Sequence, residues 1–316
     1  MGPIHAALAL AARNGRLILI LGLVAGIFLP ALAAAMAPFI GIMVAALLFL
    51  AALRIGPRQA FGALSDMGRT TTAVVALQCA LPLAGIALIA AFDQLTTPLG
   101  LGLALMMAGS PISGAPHLAV MTGNDPAPAL RQLILGTALL PLTVIPVLWS
   151  LPALGSPTEV ARASINLMVL IVLSASAAFA LRATVLKEPP PETVQSIDGV
   201  SAIAMAVVVV GLMSAVGPAL FETPPAFMAM LAAVFAANLA LQIATTLFVR
   251  WRGYDRLAPS LGICAGNRNI AMFLAVLPAE TTRDLLLFIG CYQVPMYMTP
   301  LILGRFYRPR ERAHIM

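Results

Sequence analysis

Arg268 is the residue of this chain with the most chemistry to offer. It stands in Gly262-Ile-Cys-Ala-Gly-Asn-Arg-Asn269, a polar run inside an otherwise apolar stretch. Holding an arginine at the centre of a membrane helix costs about 2.5–3.5 kcal/mol on insertion scales, so such a residue should face protein or water and have an acceptor. None of the 12 Asp and Glu residues falls in the interior of an apolar stretch, Asp284 standing at the very start of one. The remaining partners are backbone carbonyls freed by a helix break, the side-chain amides of Gln78, Asn238, Gln242 and Gln293, or an anion from outside. A planar guanidinium suits bidentate binding of a carboxylate or phosphate, and the N-terminal ends of broken helices would add positive potential. Two readings stay open: a site for a small anion, or an arginine that only ties broken helices together through their carbonyls.

A second interrupted run reads Gly109-Ser-Pro-Ile-Ser-Gly-Ala-Pro-His117. Histidine exchanges protons near neutral pH, so His117 is a candidate to relay a proton or to donate a bond to substrate; the competing reading is a packing residue. Cys79, Cys264 and Cys291 all lie in apolar stretches and have no metal-ligand spacing, so neither a disulfide framework nor a metal site is expected. No GxxxxGK[ST] phosphate loop occurs, which excludes a nucleotide-driven pump built on that motif. An intramembrane enzyme would have to rest on His117 with Ser110 or Ser113, and no enzyme is expected.

The elements that must position these groups follow from composition. The chain has 316 residues, of which 61% are hydrophobic and 9% charged, against about 45–50% and about 25% in soluble domains. Runs such as Leu17-Ile-Leu-Ile-Leu-Gly-Leu-Val and Val207-Val-Val-Val-Gly-Leu-Met do not alternate, so the spans are helices and not barrel strands. About ten are expected, near 17–35, 37–53, 70–92, 98–121, 129–149, 163–181, 199–217, 225–249, 257–278 and 284–304. Fifteen of the 18 Lys and Arg residues fall on the side of the N-terminus, Arg162 and Arg283 fall opposite, and Arg268 is inside a span. That is the positive-inside pattern, with both termini cytoplasmic in an inner, plasma-membrane protein. It also explains the net charge of +6 without a nucleic-acid partner.

Ten helices divide into two sets of five, and an odd number per half forces the second set to enter from the opposite side. The two interrupted runs occupy the fourth span and the ninth, at corresponding positions of the halves. Broken backbone at membrane depth is tolerated only where it is buried in protein or lines a cavity, and paired breaks are the best sequence pointer to a transporter's binding site. The domain organisation expected is residues 1–182 for the first five-helix repeat plus the sixth span, 183–198 for a cytoplasmic linker containing Lys187-Glu-Pro-Pro-Pro-Glu192, and 199–316 for the rest of the second repeat with a basic tail.

On these residues the chain resembles the bile acid:sodium symporter family over essentially its whole length. The likeness rests on ten spans with inside termini, Gln78 in a Gln-x-x-x-Pro setting, the break before Gly123-Asn124-Asp125, and Gly266-Asn267-Arg268-Asn269. The resemblance implies an all-α fold with a panel domain against a core domain, in which the fourth and ninth helices unwind and cross beside the substrate cavity. It also implies departures. Sodium-coupled relatives carry a motif like Glu-Val-Gly-Met-Gln-Asn in the ninth span, whose Glu and Gln help to hold two sodium ions. The matching positions here are Cys264, Ala265, Gly266, Asn267, Arg268 and Asn269, so the carboxylate is absent and a fixed cation stands beside its place. The family's Ser-Asn pair falls at Gly114-Ala115, while Gln78 and Asn269 match.

The expected function is therefore secondary transport of a small organic anion, a carboxylate first, with Arg268 in place of bound sodium and no cofactor required. Substrate contacts are expected from Arg268, Asn267, Asn269, Ser113, Gly114, Ala115, His117 and Gln78, and ion coupling, if any, from Gln78, Cys264, Ala265 and His117. The partners expected are the anion and the lipid bilayer. The alternatives are a sodium-coupled symporter and a membrane sensor that binds without transport.

Overall fold

The computed structural model describes residues 3–62, 67–152 and 156–308. Asp66 and the basic tail beyond 308 lie outside the described residues. Within them the chain is all-α and has no sheet. The first half runs through α1 (Pro3–Arg13), α2 (Gly15–Phe28), α3 (Pro30–Met36), α4 (Ile40–Gly62), α5 (Met67–Val75), a π turn at Ala76–Ala80, α6 (Leu81–Ala91), α7 (Pro98–Ala108), α8 (Ala115–Met121), α9 (Ala127–Thr143) and α10 (Ile145–Trp149). The second comprises α11 (Pro157–Thr184), α12 (Pro191–Leu212), α13 (Val216–Glu222), α14 (Pro224–Trp251), α15 (Ala258–Gly266), α16 (Ala271–Leu274) and α17 (Ala279–Tyr307).

Among the described residues, six helices are long and apolar enough to cross a membrane, or seven if α1 and α2, bent by 81° at Asn14, count as one. Each of the ten expected stretches contains helix. The smaller number has a local cause: the stretches near 98–121, 129–149 and 257–278 are each divided, and no piece reaches the length of a span. Helix starts follow the sequence closely. Pro occupies the first turn of α7, α11, α12 and α14, where its missing N–H costs nothing. The Thr97 hydroxyl accepts the Gly100 N–H at 3.1 Å ahead of α7. Pro191 opens α12, so the latter part of the expected 183–198 linker is helix.

The helices form two packed groups. In one, α4 packs on α11 and α12, and α2 packs on α12; in the other, α14, α15 and α17 pack together, while α5 to α9 surround the first break. The two groups meet where α9 lies on α11 and α16 on α4. Large apolar side chains face outward, including Leu21, Phe28, Ile165, Leu173, Met228 and Leu247, a surface suited to hydrocarbon and not to water. Gly56, with φ +72° and ψ 162°, kinks α4 immediately before Pro57. That conformation is essentially restricted to glycine.

Candidate functional site

The two interrupted runs are breaks in the helices, and they meet. Pro111, between α7 and α8, pairs antiparallel with Arg268, between α15 and α16. The Ile112 N–H donates to the Asn267 carbonyl at 3.0 Å and the Asn269 N–H to the Ser110 carbonyl at 2.7 Å. Main-chain groups that lost their helical partners thus satisfy one another in the interior, where water is not at hand to do it.

Arg268 lies beside this crossing and is 1% exposed. Its Nε donates to the Ala265 carbonyl at 3.0 Å, Nη1 to Gly109 at 2.9 Å and Nη2 to Leu77 at 2.9 Å. Each acceptor comes from a helix irregularity. Gly109 caps the C-terminus of α7, Ala265 is in the last turn of α15, and Leu77 belongs to the π turn. Helix C-termini carry partial negative charge, so this cage is built for a cation. The helix ends that reach the guanidinium are C-terminal, while the N-terminal ends of α8 and α16, at Gly114 and Ile270, line the cavity beside the crossing. Of the five N–H groups of the guanidinium, three go to these carbonyls, and Nη1 and Nη2 each keep one. The Arg268 main-chain N–H donates to the Tyr292 hydroxyl at 2.7 Å, and that hydroxyl donates to the Gly266 carbonyl.

A connected network holds the second break. Asn238 Nδ2 donates to the Gly266 carbonyl at 2.6 Å, and Gln242 Nε2 donates to Asn238 Oδ1 at 2.7 Å and to Thr299 Oγ1 at 3.1 Å. Thr299 in turn donates to Asn267 Oδ1 at 3.2 Å, and the Tyr307 hydroxyl donates to Gln242 Oε1 at 3.1 Å. Gly266 permits this approach, since a Cβ there would lie 2.6 Å from the Asn238 carbonyl oxygen.

The first break is served differently. Gln78, fully buried in the π turn, accepts a bond from the Thr143 hydroxyl at 3.0 Å, but its Nε2 has no partner. On α9, Gln132 is 1% exposed and neither of its amide atoms makes a hydrogen bond. Gly136, one turn further along α9, leaves room for the Gln78 amide.

Beside the crossing is a cavity of about 360 Å³, lined by the two breaks and by α4, α9, α11, α12 and α17. Arg268, Asn269, Ser113 and Gly114 line it, together with Thr137 and Gln293. The other expected site residues lie elsewhere. Asn267 is turned into the Thr299 network, Ala115 is buried with its N–H on the Ile112 carbonyl, and Gln78 is behind the cavity wall. His117 is exposed on α8 and does not line the cavity. Cys264 packs with Ala129, Ile263 and Tyr307, and Ala265 contributes only its carbonyl.

Tyr292, Thr299, Thr137 and Gln132 enter the site without having stood out in the sequence. One signal was available for their neighbours: Asn238, Gln242 and Thr246 recur at four-residue spacing and form one polar stripe along the apolar α14. Compared with known proteins, the chain matches no family model and no curated protein.

Proposed function

We propose that this chain is a secondary transporter that moves a small organic anion, a carboxylate first, by alternating access and without sodium. The observation that carries the reading is the guanidinium of Arg268 seated in three carbonyls at the wall of the cavity. Oxygen ligands converging from helix breaks and a π turn are what a hard monovalent cation would use, by the logic of other hard cations; here a covalently held cation uses them. Its two remaining N–H groups and the polar side chains of Asn269, Ser113 and Gln293 then offer an anion a positive, hydrogen-bonding end of the cavity.

The proposed architecture is ten membrane spans in two inverted repeats, with α2, α4, α11 and α12 as the panel and the helices around the crossing as the core. Both termini are cytoplasmic. Substrate would lie between panel and core, and their relative motion would expose it to one side and then the other.

The test is carboxylate flux into proteoliposomes in sodium, potassium and choline media. Equal flux in all three, lost in Arg268→Ala and partly kept in Arg268→Lys, is the expected result. Flux that survives in Arg268→Ala would overturn the fixed-cation site, and binding without flux would turn the reading to a sensor. One observation favours a second reading, sodium-coupled symport: the buried Gln132 amide oxygen, which has no protein partner and is the kind of ligand sodium takes. Flux that requires sodium would establish that reading instead.

A further inference from the structure

The walls of the cavity divide sharply by chemistry. Its polar side chains Arg268, Asn269, Ser113, Thr137, Gln293 and Tyr297 come from the two breaks, α9 and α17, the Tyr297 hydroxyl being turned to Met205 Sδ at 3.4 Å. The walls supplied by α4, α11 and α12 are aliphatic or aromatic, with residues such as Leu48, Ala51, Ile55, Ile171, Ala175 and Val208. The exception is Ser174, whose hydroxyl is turned away to the Ala45 carbonyl at 3.3 Å. Among the described residues, Arg268 is the only charged one in the lining.

A volume of about 360 Å³ is near the lower end of the range for ligand pockets. A small hydrophilic carboxylate would leave most of this wall unmatched. A di- or tricarboxylate would press its second charge against aliphatic side chains, where an unpaired charge is strongly disfavoured. An anion with one charged end and an apolar body fits both halves of the lining.

Resting on the anion-transport reading above, we propose that the substrate is an unbranched monocarboxylate with an alkyl tail, a medium-chain fatty acid, its carboxylate at the crossing and its tail along α4 and α11. The tail gains from burial as the chain lengthens, by about fourfold in affinity per methylene, until the apolar wall is covered.

The experiment is titration of the protein in lipid nanodiscs with acetate, butyrate, hexanoate, octanoate and decanoate, with succinate and citrate, and with octanol and octylamine. Affinity should rise along the monocarboxylate series and then level, with octanoate at least tenfold tighter than octanol or octylamine. Ala51→Leu and Ala175→Leu, on separate helices of the apolar wall, should each shift the levelling point to shorter chains. A flat series, or succinate or citrate binding more tightly than octanoate, would overturn the alkyl-tail inference and leave anion transport standing. A chain-length trend unchanged by both leucine variants would mean partition into the bilayer and would also overturn it. Octanol or octylamine binding as well as octanoate, with the length trend kept and shifted by the variants, would instead overturn the anion reading on which the inference rests.

Discussion

The two helix breaks are chemically unequal, although they touch through a single antiparallel bridge. Around the second, Asn238, Gln242, Thr299 and Tyr292 close a network in which each amide or hydroxyl has a protein partner. Around the first, Gln78 keeps a free donor and Gln132 has both amide atoms unmatched. Buried polar groups without partners cost stability, whereas satisfied networks make a local structure rigid and unique. The second break is therefore complete as a structural joint, and the first is where polar groups remain for something other than protein. Arg268 belongs to both, since it takes carbonyls from α7, α15 and the π turn.

Three substitutions would break or sharpen this contrast. The largest effect is expected at the shared residue. Arg268→Met would leave three buried carbonyls without donors at about 1–3 kcal/mol each, and a thermal melt in detergent should show the greatest loss of stability at any position of the crossing. A melt unchanged from the parent would mean that the cage does not hold the two breaks together. Next is Gln242→Leu, which strands Asn238, Thr299 and Tyr307 together; a loss of about 2–4 kcal/mol is expected, read from the same melt and from faster amide exchange at 266–269. If exchange quickened equally at 109–114, the two breaks would share one network after all. Smallest, and of opposite sign, is Gln132→Leu. It removes an amide with no partner, so stability should be unchanged or rise by about 1 kcal/mol. A clear loss would show that the first side is as well satisfied as the second.

Much of this site could be read from the sequence, and the parts that could not share a cause. Glycine, proline and polar residues in the middle of apolar stretches mark both breaks, because few other residue types permit an interrupted helix at that depth. An arginine there with no carboxylate at its own level already required carbonyls or a ligand. The π turn left a fainter mark: Ala-Leu-Gln-Cys-Ala has the composition of any buried helix, and it is the Leu81 N–H moving to the Ala76 carbonyl, together with the missing N–H of Pro82, that leaves the Leu77 carbonyl for Arg268. The pairing of Pro111 with Arg268 is likewise a matter of how distant helices meet. His117 and Gln132 show the same limit from opposite sides. Both are polar residues in or beside apolar stretches, and only the rotation of their helices puts the first on the surface and the second in the interior.

The covalent attachment of the cation in the Arg268 cage has an electrical consequence. An ion that dissociates leaves its carrier uncharged for the return leg; a guanidinium stays. In the proposed cycle the site loaded with a monocarboxylate is electroneutral, and the empty site carries one positive charge. The membrane potential, worth about 2.3 kcal/mol per charge for each 100 mV, then acts on the empty return and not on the loaded passage. One-for-one exchange of monoanions across such a protein is indifferent to voltage, whereas net movement is not: a negative interior holds the unloaded site inward and slows every turnover that has to begin from outside.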